Sequence, residues 1–189
     1  MSVHLALDTS SNYLAVALWG DDGVRFERTE DVCRDHAARL PQAFASALDE
    51  AGVQREQLTG VTVGIGPGSY TGIRVGVAAA RGLAFALGIP LTGACSLAMV
   101  AAQAGASQAG ASQGPVRVLR DARRGRVYAA EFAWQDGTLT AVRPPFKAER
   151  ADLDPVPDGT CVVEDGPPSA LWAASPHAIR SEPTPNYLE

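Results

Sequence analysis

The sequence predicts an α/β fold whose main sheet mixes antiparallel and parallel strands. Residues 3–8, 13–19 and 24–28 are runs of β-forming residues separated by turn-forming ones, which is typical of three antiparallel strands. A buried strand at 61–65 leads into a helix, and another strand follows at 91–94. This order requires parallel pairing with a right-handed crossover, so a βαβ unit extends the antiparallel strands.

Three helices are predicted from apolar residues at helical spacing. The first covers residues 37–51, with Pro41 as a kink near its start and Gly52 as its C-terminal cap. The second covers residues 73–87 and connects the two parallel strands. A short third helix is expected at 97–102.

The chain divides into two predicted lobes. We assign residues 1–103 to an N-terminal lobe and 115–189 to a smaller C-terminal lobe. Between them, at 104–114, the segment Ala-Gly-Ala-Ser-Gln occurs twice in succession, as in a low-complexity linker. Nine of the 13 prolines lie at or after Pro144, so the last quarter of the chain is predicted to be mostly loop. Its regular elements are expected at 116–119, 126–134, 161–164 and 170–174.

Composition limits the classes of partner. The net charge of −5 argues against a protein whose whole surface binds nucleic acid. Residues 114–150 nevertheless hold eight basic and four acidic side chains. A local basic patch is predicted from Arg117, Arg120, Arg123, Arg124 and Arg126. Both a solvent-exposed turn and a contact with nucleic-acid phosphates remain open for it.

Neither a metal centre nor a catalytic triad can be recognised in the sequence. The three histidines never share a helical turn, and no pair of the three cysteines has a metal-ligand spacing. The odd number of widely spaced cysteines favours free thiols in a reducing compartment. Because the N-terminus lacks a secretion signal and no segment is apolar enough to cross a membrane, a cytoplasmic protein is expected.

Two loops are candidates for contact with a phosphate. The first, Asp8-Thr9-Ser10, resembles the first phosphate loop of the actin-like and sugar-kinase superfamily, in which the acid handles the metal of a nucleotide. The second, at 66–72, is rich in glycine and precedes a helix N-terminus that offers free amides. Ordinary turns would explain both loops as well. The candidate contacts, as vestigial nucleotide-binding residues, are Asp8, Thr9, Ser10, Gly66, Gly68 and Ser69; no catalytic residue or metal ligand is assigned.

The helix at 73–87 lacks the polar face that a helix on an open sheet normally shows to solvent. Apart from Arg74 and Arg81, every position in it is apolar or glycine. We therefore expect it to pack on two sides, against its own sheet and against either another helix of the chain or a partner protein. The predicted partner interface consists of Arg39, Leu40, Ala43, Phe44, Ala47, Arg74, Val77, Ala78 and Arg81.

Five motifs in this order make the chain similar to the TsaB (YeaZ) family. They are residues 5–10, His36 with Leu40 and Pro41, residues 64–74, residues 121–123 with Val127 and Tyr128, and residues 185–188. The run Gly-Pro-Gly-Ser-Tyr-Thr-Gly-Ile-Arg is the most specific of them. The resemblance implies an actin-like, ribonuclease-H-like fold of two lobes. It also implies a role in making threonylcarbamoyladenosine in tRNAs that read codons beginning with A.

The resemblance further implies that the chain binds partner proteins and does not itself catalyse the reaction. In this family TsaB is the non-catalytic paralogue of TsaD, which carries the metal and transfers the threonylcarbamoyl group to tRNA. TsaB binds TsaD, the ATPase TsaE joins them, and TsaB alone forms homodimers. The resemblance therefore implies no cofactor beyond weak ATP or ADP binding in the complex, tRNA contact only through the complex, and no membrane contact.

Two other classes of protein stay open. A free-standing actin-like ATPase or kinase would need a second acid across the cleft, for which Asp121 and residues 164–166 are the candidates. A peptidase, which an older name of the family suggests, finds no support in these residues. Fewer residues separate Val163 from Tyr187 than in the family pattern, so a shortened second lobe is also expected.

Overall fold

The computed structural model describes residues 2–33, 35–107, 114–135 and 137–170 of the 189-residue chain. Two mixed β-sheets and three α-helices lie within these ranges. The strands are β1 (Val3–Asp8), β2 (Tyr13–Gly20), β3 (Gly23–Asp31), β4 (Leu58–Gly64), β5 (Leu91–Ala94), β6 (Val116–Asp121), β7 (Arg126–Gln135), β8 (Thr138–Glu149) and β9 (Cys161–Glu164). The helices are α1 (His36–Ala51), α2 (Tyr70–Leu87) and α3 (Ser96–Ser107).

The first sheet has the strand order β3-β2-β1-β4-β5 and confirms the predicted mixed pairing. β1, β2 and β3 pair antiparallel, whereas β4 pairs parallel with both β1 and β5. α2 is the crossover of the βαβ unit. Because β1 lies in the middle of the sheet, the turn that follows it is enclosed by its neighbours.

The second sheet repeats this arrangement in the order β8-β7-β6-β9, with antiparallel strands followed by one parallel strand. The prediction of loop was wrong for β8, which contains Pro144 and Pro145. These prolines fall where the pairing with β7 is irregular, between the Arg143 and Phe146 positions. β8 is also an edge strand, where a missing amide hydrogen is tolerated.

Two helices differ in length from their predictions. α2 begins at Tyr70, three residues before the predicted start, and α3 continues to Ser107, past the predicted start of the linker. Residues 108–113 and 171–189 lie outside the described part of the chain. The rest of the repeated segment, most of the predicted turn at 170–174 and the motif at 185–188 fall there. The division into lobes stays a prediction.

The hydrophobic core has two main layers. α1 and α2 cover one face of the first sheet, and α3 lies between the two sheets. Leu97, Met99 and Val100 of α3 are fully buried, as expected for a helix that is apolar on all sides. Ala6 of the first sheet and Val118 of the second belong to the same apolar cluster, so both sheets share this layer.

Candidate functional site

The turn between β1 and β2 places Asp8 at the carboxyl end of a central strand, where its side chain is 0 % exposed. Oδ1 of Asp8 accepts hydrogen bonds from the amide and the hydroxyl of Ser10, both at 2.8 Å. Oδ2 accepts a hydrogen bond from the hydroxyl of Ser96 at 2.5 Å. Donors of the chain itself therefore occupy both carboxylate oxygens. The sequence analysis did not identify this contact.

The loop that connects β4 to α2 lies directly against the β1–β2 turn. The amide of Ser69 donates to the carbonyl oxygen of Ser10 at 2.7 Å. The Ser69 hydroxyl accepts from the amide of Gly72 at 3.2 Å and so caps α2. The hydroxyl of Thr9 donates to the Gly72 carbonyl oxygen at 2.8 Å, while Ser96 bonds to the backbone of Gly66. The structure thus brings five of the six predicted loop residues into one hydrogen-bond network, and the sixth, Gly68, packs against Ser10.

Two glycines allow the loops to approach so closely. A Cβ atom on Gly68 would lie 2.2 Å from the carbonyl oxygen of Ser10, and one on Gly72 would lie 2.1 Å from that of Thr9. Real side chains never approach a backbone atom to such distances. The glycines therefore serve loop-to-loop contact inside the chain.

Arg120 of β6 closes the same network from the second sheet. Arg120 is 3 % exposed. Its Nη1 atom donates hydrogen bonds to Ser10 Oγ at 2.6 Å and to the Pro67 carbonyl oxygen at 3.2 Å. Nε and Nη2 are buried and have no hydrogen-bond partner among the described residues. Burial lowers the pKa of this guanidinium, and the carboxylates of Asp8 and Asp165 oppose that effect.

The predicted basic patch is wrong for two of its five arginines. Arg120 is enclosed as above, and Arg117 is also buried, with Nε and Nη2 donating to Glu131 and Nη1 to the Asp154 carbonyl oxygen. Strand alternation could have placed Arg120 inside, because it shares one face of β6 with the core residues Val116 and Val118. The arginines that remain on the turn are Arg123, Arg124 and Arg126.

An open cleft of about 720 Å³ adjoins the network and separates the two loops from the β6–β7 turn. Its charged lining consists of Asp31, Arg120, Asp121, Arg123 and Asp165. The Asp165 carboxylate accepts a hydrogen bond from the amide of Asp121 at 3.1 Å. Within the described ranges, no group of three or more His, Cys, Asp or Glu side chains could hold a metal ion.

A second concave surface lies between α1 and α2. It is an apolar groove of about 460 Å³, floored by side chains of the first sheet and walled by the two helices. Leu40, Pro41 and Phe44 line it from α1, and Ala78 and Ala79 line it from α2. Polar groups contribute little to this lining.

The nine predicted interface residues fall into two groups. Leu40, Ala47 and Val77 are buried in the chain's own core, with at most 4 % exposure, although Leu40 also lines the groove. The other six reach the surface: Arg39, Arg74, Ala78 and Arg81 are exposed, whereas Ala43 and Phe44 are half-buried and pack against the core. Arg39 forms an ion pair with Glu30, and Arg74 donates to the hydroxyl of Tyr70.

The sequence analysis missed the most exposed apolar residue of this face. Phe85 is 89 % exposed and follows Ala78 by seven positions along α2, which places both on one side of the helix. Ala79, Gly82 and Ala86 are exposed beside it. The same helical spacing that pairs Arg74 with Arg81 could have identified Phe85. We call the exposed residues of α2 from Arg74 to Ala86, together with the groove, the α1–α2 face.

Comparison with known proteins places this fold in an actin-like class. The family profile of TsaD, described as tRNA N6-adenosine threonylcarbamoyltransferase, matches residues 29–159, more than half of the chain. A solved structure of YeaZ from Pseudomonas aeruginosa superposes with a TM-score of 0.87 and 26 % identity, covering 100 % of both chains. Another solved P. aeruginosa chain with the same values is described as similar to a peptidase YeaZ.

Relatives of known sequence carry the TsaB name. The TsaB protein of Bacillus subtilis is 35 % identical over 78 % of this chain, and that of Escherichia coli is 36 % identical over 68 %. An uncharacterized protein of Mycobacterium tuberculosis is 36 % identical over 100 % of the chain and 83 % of its own length. The chain belongs to the TsaB (YeaZ) family, and the TsaD profile matches it over residues 29–159.

This chain spans 62 % of the length of the B. subtilis protein and 54 % of that of the E. coli protein. Both relatives are named as tRNA threonylcarbamoyladenosine biosynthesis proteins. In the described part of the chain, no helix combines the length and the apolar character that a membrane span needs.

Proposed function

We propose that this chain is a non-catalytic subunit of the complex that makes threonylcarbamoyladenosine in tRNA, and that it binds a TsaD-like transferase through the α1–α2 face. The observation that carries this proposal is the exposed apolar surface of α2. Phe85 is 89 % exposed, and the neighbouring exposed positions Ala78, Ala79, Gly82 and Ala86 are all small. Small residues around one large apolar side chain favour close packing against a second helix.

The relatives named TsaB support the pathway, and the closed network around Asp8 supports the absence of catalysis. A carboxylate that is 0 % exposed and bonded to Ser10 and Ser96 cannot approach a substrate or a solvated metal. A free-standing ATPase or kinase would need such a carboxylate to be accessible. For a peptidase, no observation on the described residues supplies an activated nucleophile.

The other partners follow from this role. We propose that a TsaE-like ATPase joins the two subunits, that tRNA is contacted only through the complex, and that the chain alone forms a homodimer through the same α1–α2 face. Homodimer and heterodimer would then exclude each other, because one surface serves both. The chain would work in the cytoplasm and need no cofactor beyond weak ATP or ADP binding in the complex.

The test is association with the TsaD paralogue of the same organism, measured by size-exclusion chromatography with light scattering. Ala78→Glu places a carboxylate at an exposed position of the face, where assembly would bury it without a partner. A penalty of about 3 kcal/mol corresponds to a loss of affinity of roughly 100-fold. Ala151→Glu is the matched control, because Ala151 is exposed in the short 3-10 helix that follows β8 and is not part of this face.

We expect Ala78→Glu to keep the circular dichroism spectrum of the original chain while losing both the heterodimer and the homodimer. Ala151→Glu should keep both. A folded Ala78→Glu chain that still binds the TsaD paralogue would place the contact elsewhere. The proposed role would be contradicted if the unmodified chain did not associate with that paralogue.

A further inference from the structure

The pocket around Asp8 contains a buried positive charge from the chain itself. Arg120 reaches it from β6 and is 3 % exposed. Nη1 of Arg120 donates to Ser10 Oγ at 2.6 Å, and the same hydroxyl donates to Oδ1 of Asp8 at 2.8 Å. A single hydroxyl group therefore connects the two opposite charges.

The same guanidinium connects three separate segments. Besides Ser10 in the β1–β2 turn, Nη1 contacts the carbonyl oxygen of Pro67 in the β4–α2 loop at 3.2 Å. It also lies 3.1 Å from the position that a Cβ atom on Gly68 would take. Because Arg120 itself belongs to the second sheet, it holds both loops of the first sheet against the second.

The resemblance of the β1–β2 turn to a phosphate loop implies a metal-bound nucleotide beside Asp8, and these residues do not fit one. Magnesium needs near-octahedral oxygen ligands and usually keeps several water molecules, whereas Ser10 and Ser96 already occupy both oxygens of Asp8. The direct 2.7 Å bond from the Ser69 amide to the Ser10 carbonyl oxygen leaves no room for a phosphate between the loops. A divalent cation at Asp8 would also be repelled by the neighbouring guanidinium.

We propose that Arg120 is the resident cation of this pocket, which means that it supplies the positive charge beside Asp8 in place of a bound metal ion. The cleft therefore disfavours the binding of metal-bound phosphates. Arg120 compensates the buried carboxylate through Ser10 and holds the two loops together without a ligand. Two of its nitrogens stay unpaired among the described residues, so its burial is unfavourable unless that compensation is kept. This role does not depend on a TsaD-like partner, so either proposal can fail while the other holds.

The test compares thermal unfolding of the full chain, Arg120→Ala and Arg123→Ala. Arg123 is the matched control because it lines the same cleft but is exposed. Each protein is measured with magnesium-ATP, with inorganic phosphate, and with a millimolar concentration of guanidinium chloride against sodium chloride. We expect none of these additions to stabilise the original chain. Arg120→Ala should melt roughly 10 °C lower and recover several degrees with guanidinium only, because this ion fills the vacated space.

The proposal would be overturned if magnesium-ATP or phosphate stabilised the unmodified chain and did not stabilise Arg120→Ala. Arg120 would then be a ligand for an anion. An Arg120→Ala chain as stable as the original, or one that guanidinium does not stabilise, would overturn the proposal as well. If Arg120→Ala does not fold, calorimetric titration of the original chain with magnesium-ATP decides. Binding there contradicts the resident cation, and no binding supports it.

Discussion

Replacing Gly72 by alanine should destabilise the protein, although the same change inside a helix normally stabilises it. Alanine is favoured over glycine by about 1 kcal/mol in a helix interior. Gly72 lies in the first turn of α2, and its Cβ atom would come 2.1 Å from the carbonyl oxygen of Thr9. The backbone of Thr9 cannot move freely, because Asp8 and Ser10 on either side are held by buried hydrogen bonds.

Two unfavourable terms oppose the gain in helix propensity. Separating Gly72 from Thr9 by nearly 1 Å overpacks a buried contact, at a cost of about 1–3 kcal/mol. It also lengthens the bond from the Thr9 hydroxyl to the Gly72 carbonyl oxygen, and an unsatisfied buried polar group costs about 1–3 kcal/mol. We therefore expect a net loss of roughly 2–4 kcal/mol in the free energy of unfolding.

Gly82→Ala is the matched control in the same helix. Nothing lies within 4 Å of a Cβ atom at Gly82, and the position is exposed. We expect it to gain about 1 kcal/mol. Urea unfolding followed by circular dichroism measures both variants, and the midpoint of Gly72→Ala should fall by about 1–2 M. Several protein concentrations are needed, because self-association through the α1–α2 face would make the result concentration-dependent.

Opposite signs for the two variants would support the close approach of Thr9 to α2. If Gly72→Ala were neutral or stabilising, like Gly82→Ala, the turn after β1 would not be packed against the helix as described. The enclosure of Asp8 would then lose its main support.

Two further predictions concern side chains outside this network. Arg117→Met should lower the free energy of unfolding by about 3 kcal/mol, because it leaves the largely buried Glu131 without its partner. Arg143→Met, which removes an exposed ion pair, should lower it by less than about 1 kcal/mol. Urea unfolding measures both variants, and equal losses would contradict the difference in burial. The exposed thiol of Cys33 donates a hydrogen bond to Asp31, which raises the pKa of Cys33 and lowers its thiolate fraction at a given pH. Asp31→Asn should therefore speed the alkylation of Cys33 at pH 8. An unchanged alkylation rate would show that Asp31 does not raise this pKa.

Much of the first sheet could be predicted, because its signals are local. Alternating residues and turns mark β1 to β3, and the change from a two-residue to a helical period marks α1. The two candidate loops were also found from the sequence, since a polar turn after an apolar strand and a glycine-rich run before a helix are visible without tertiary contacts. β8 was missed because prolines normally indicate a loop, and its pairing with β7 is a long-range property.

The candidate site shows what local signals cannot settle. The sequence predicted Asp8 and Ser10 as candidate phosphate contacts, but only packing shows that Ser96 and Arg120 occupy their polar atoms. Ser96 is 88 positions away from Asp8 along the chain, and Arg120 is 110 positions away from Ser10.

Residue types, periodicity and motif order were therefore sufficient for the family, the parallel pairing of the βαβ unit and the unusual apolar character of α2. Which arginines are surface charges, which interface residues belong to the core, and whether the loops are open were decided by the tertiary structure. Arg117 and Arg123 look alike in the sequence, yet one is buried against Glu131 and the other lines a cleft. The physical reason is that burial and charge pairing depend on contacts between distant segments, whereas secondary structure depends largely on neighbours along the chain.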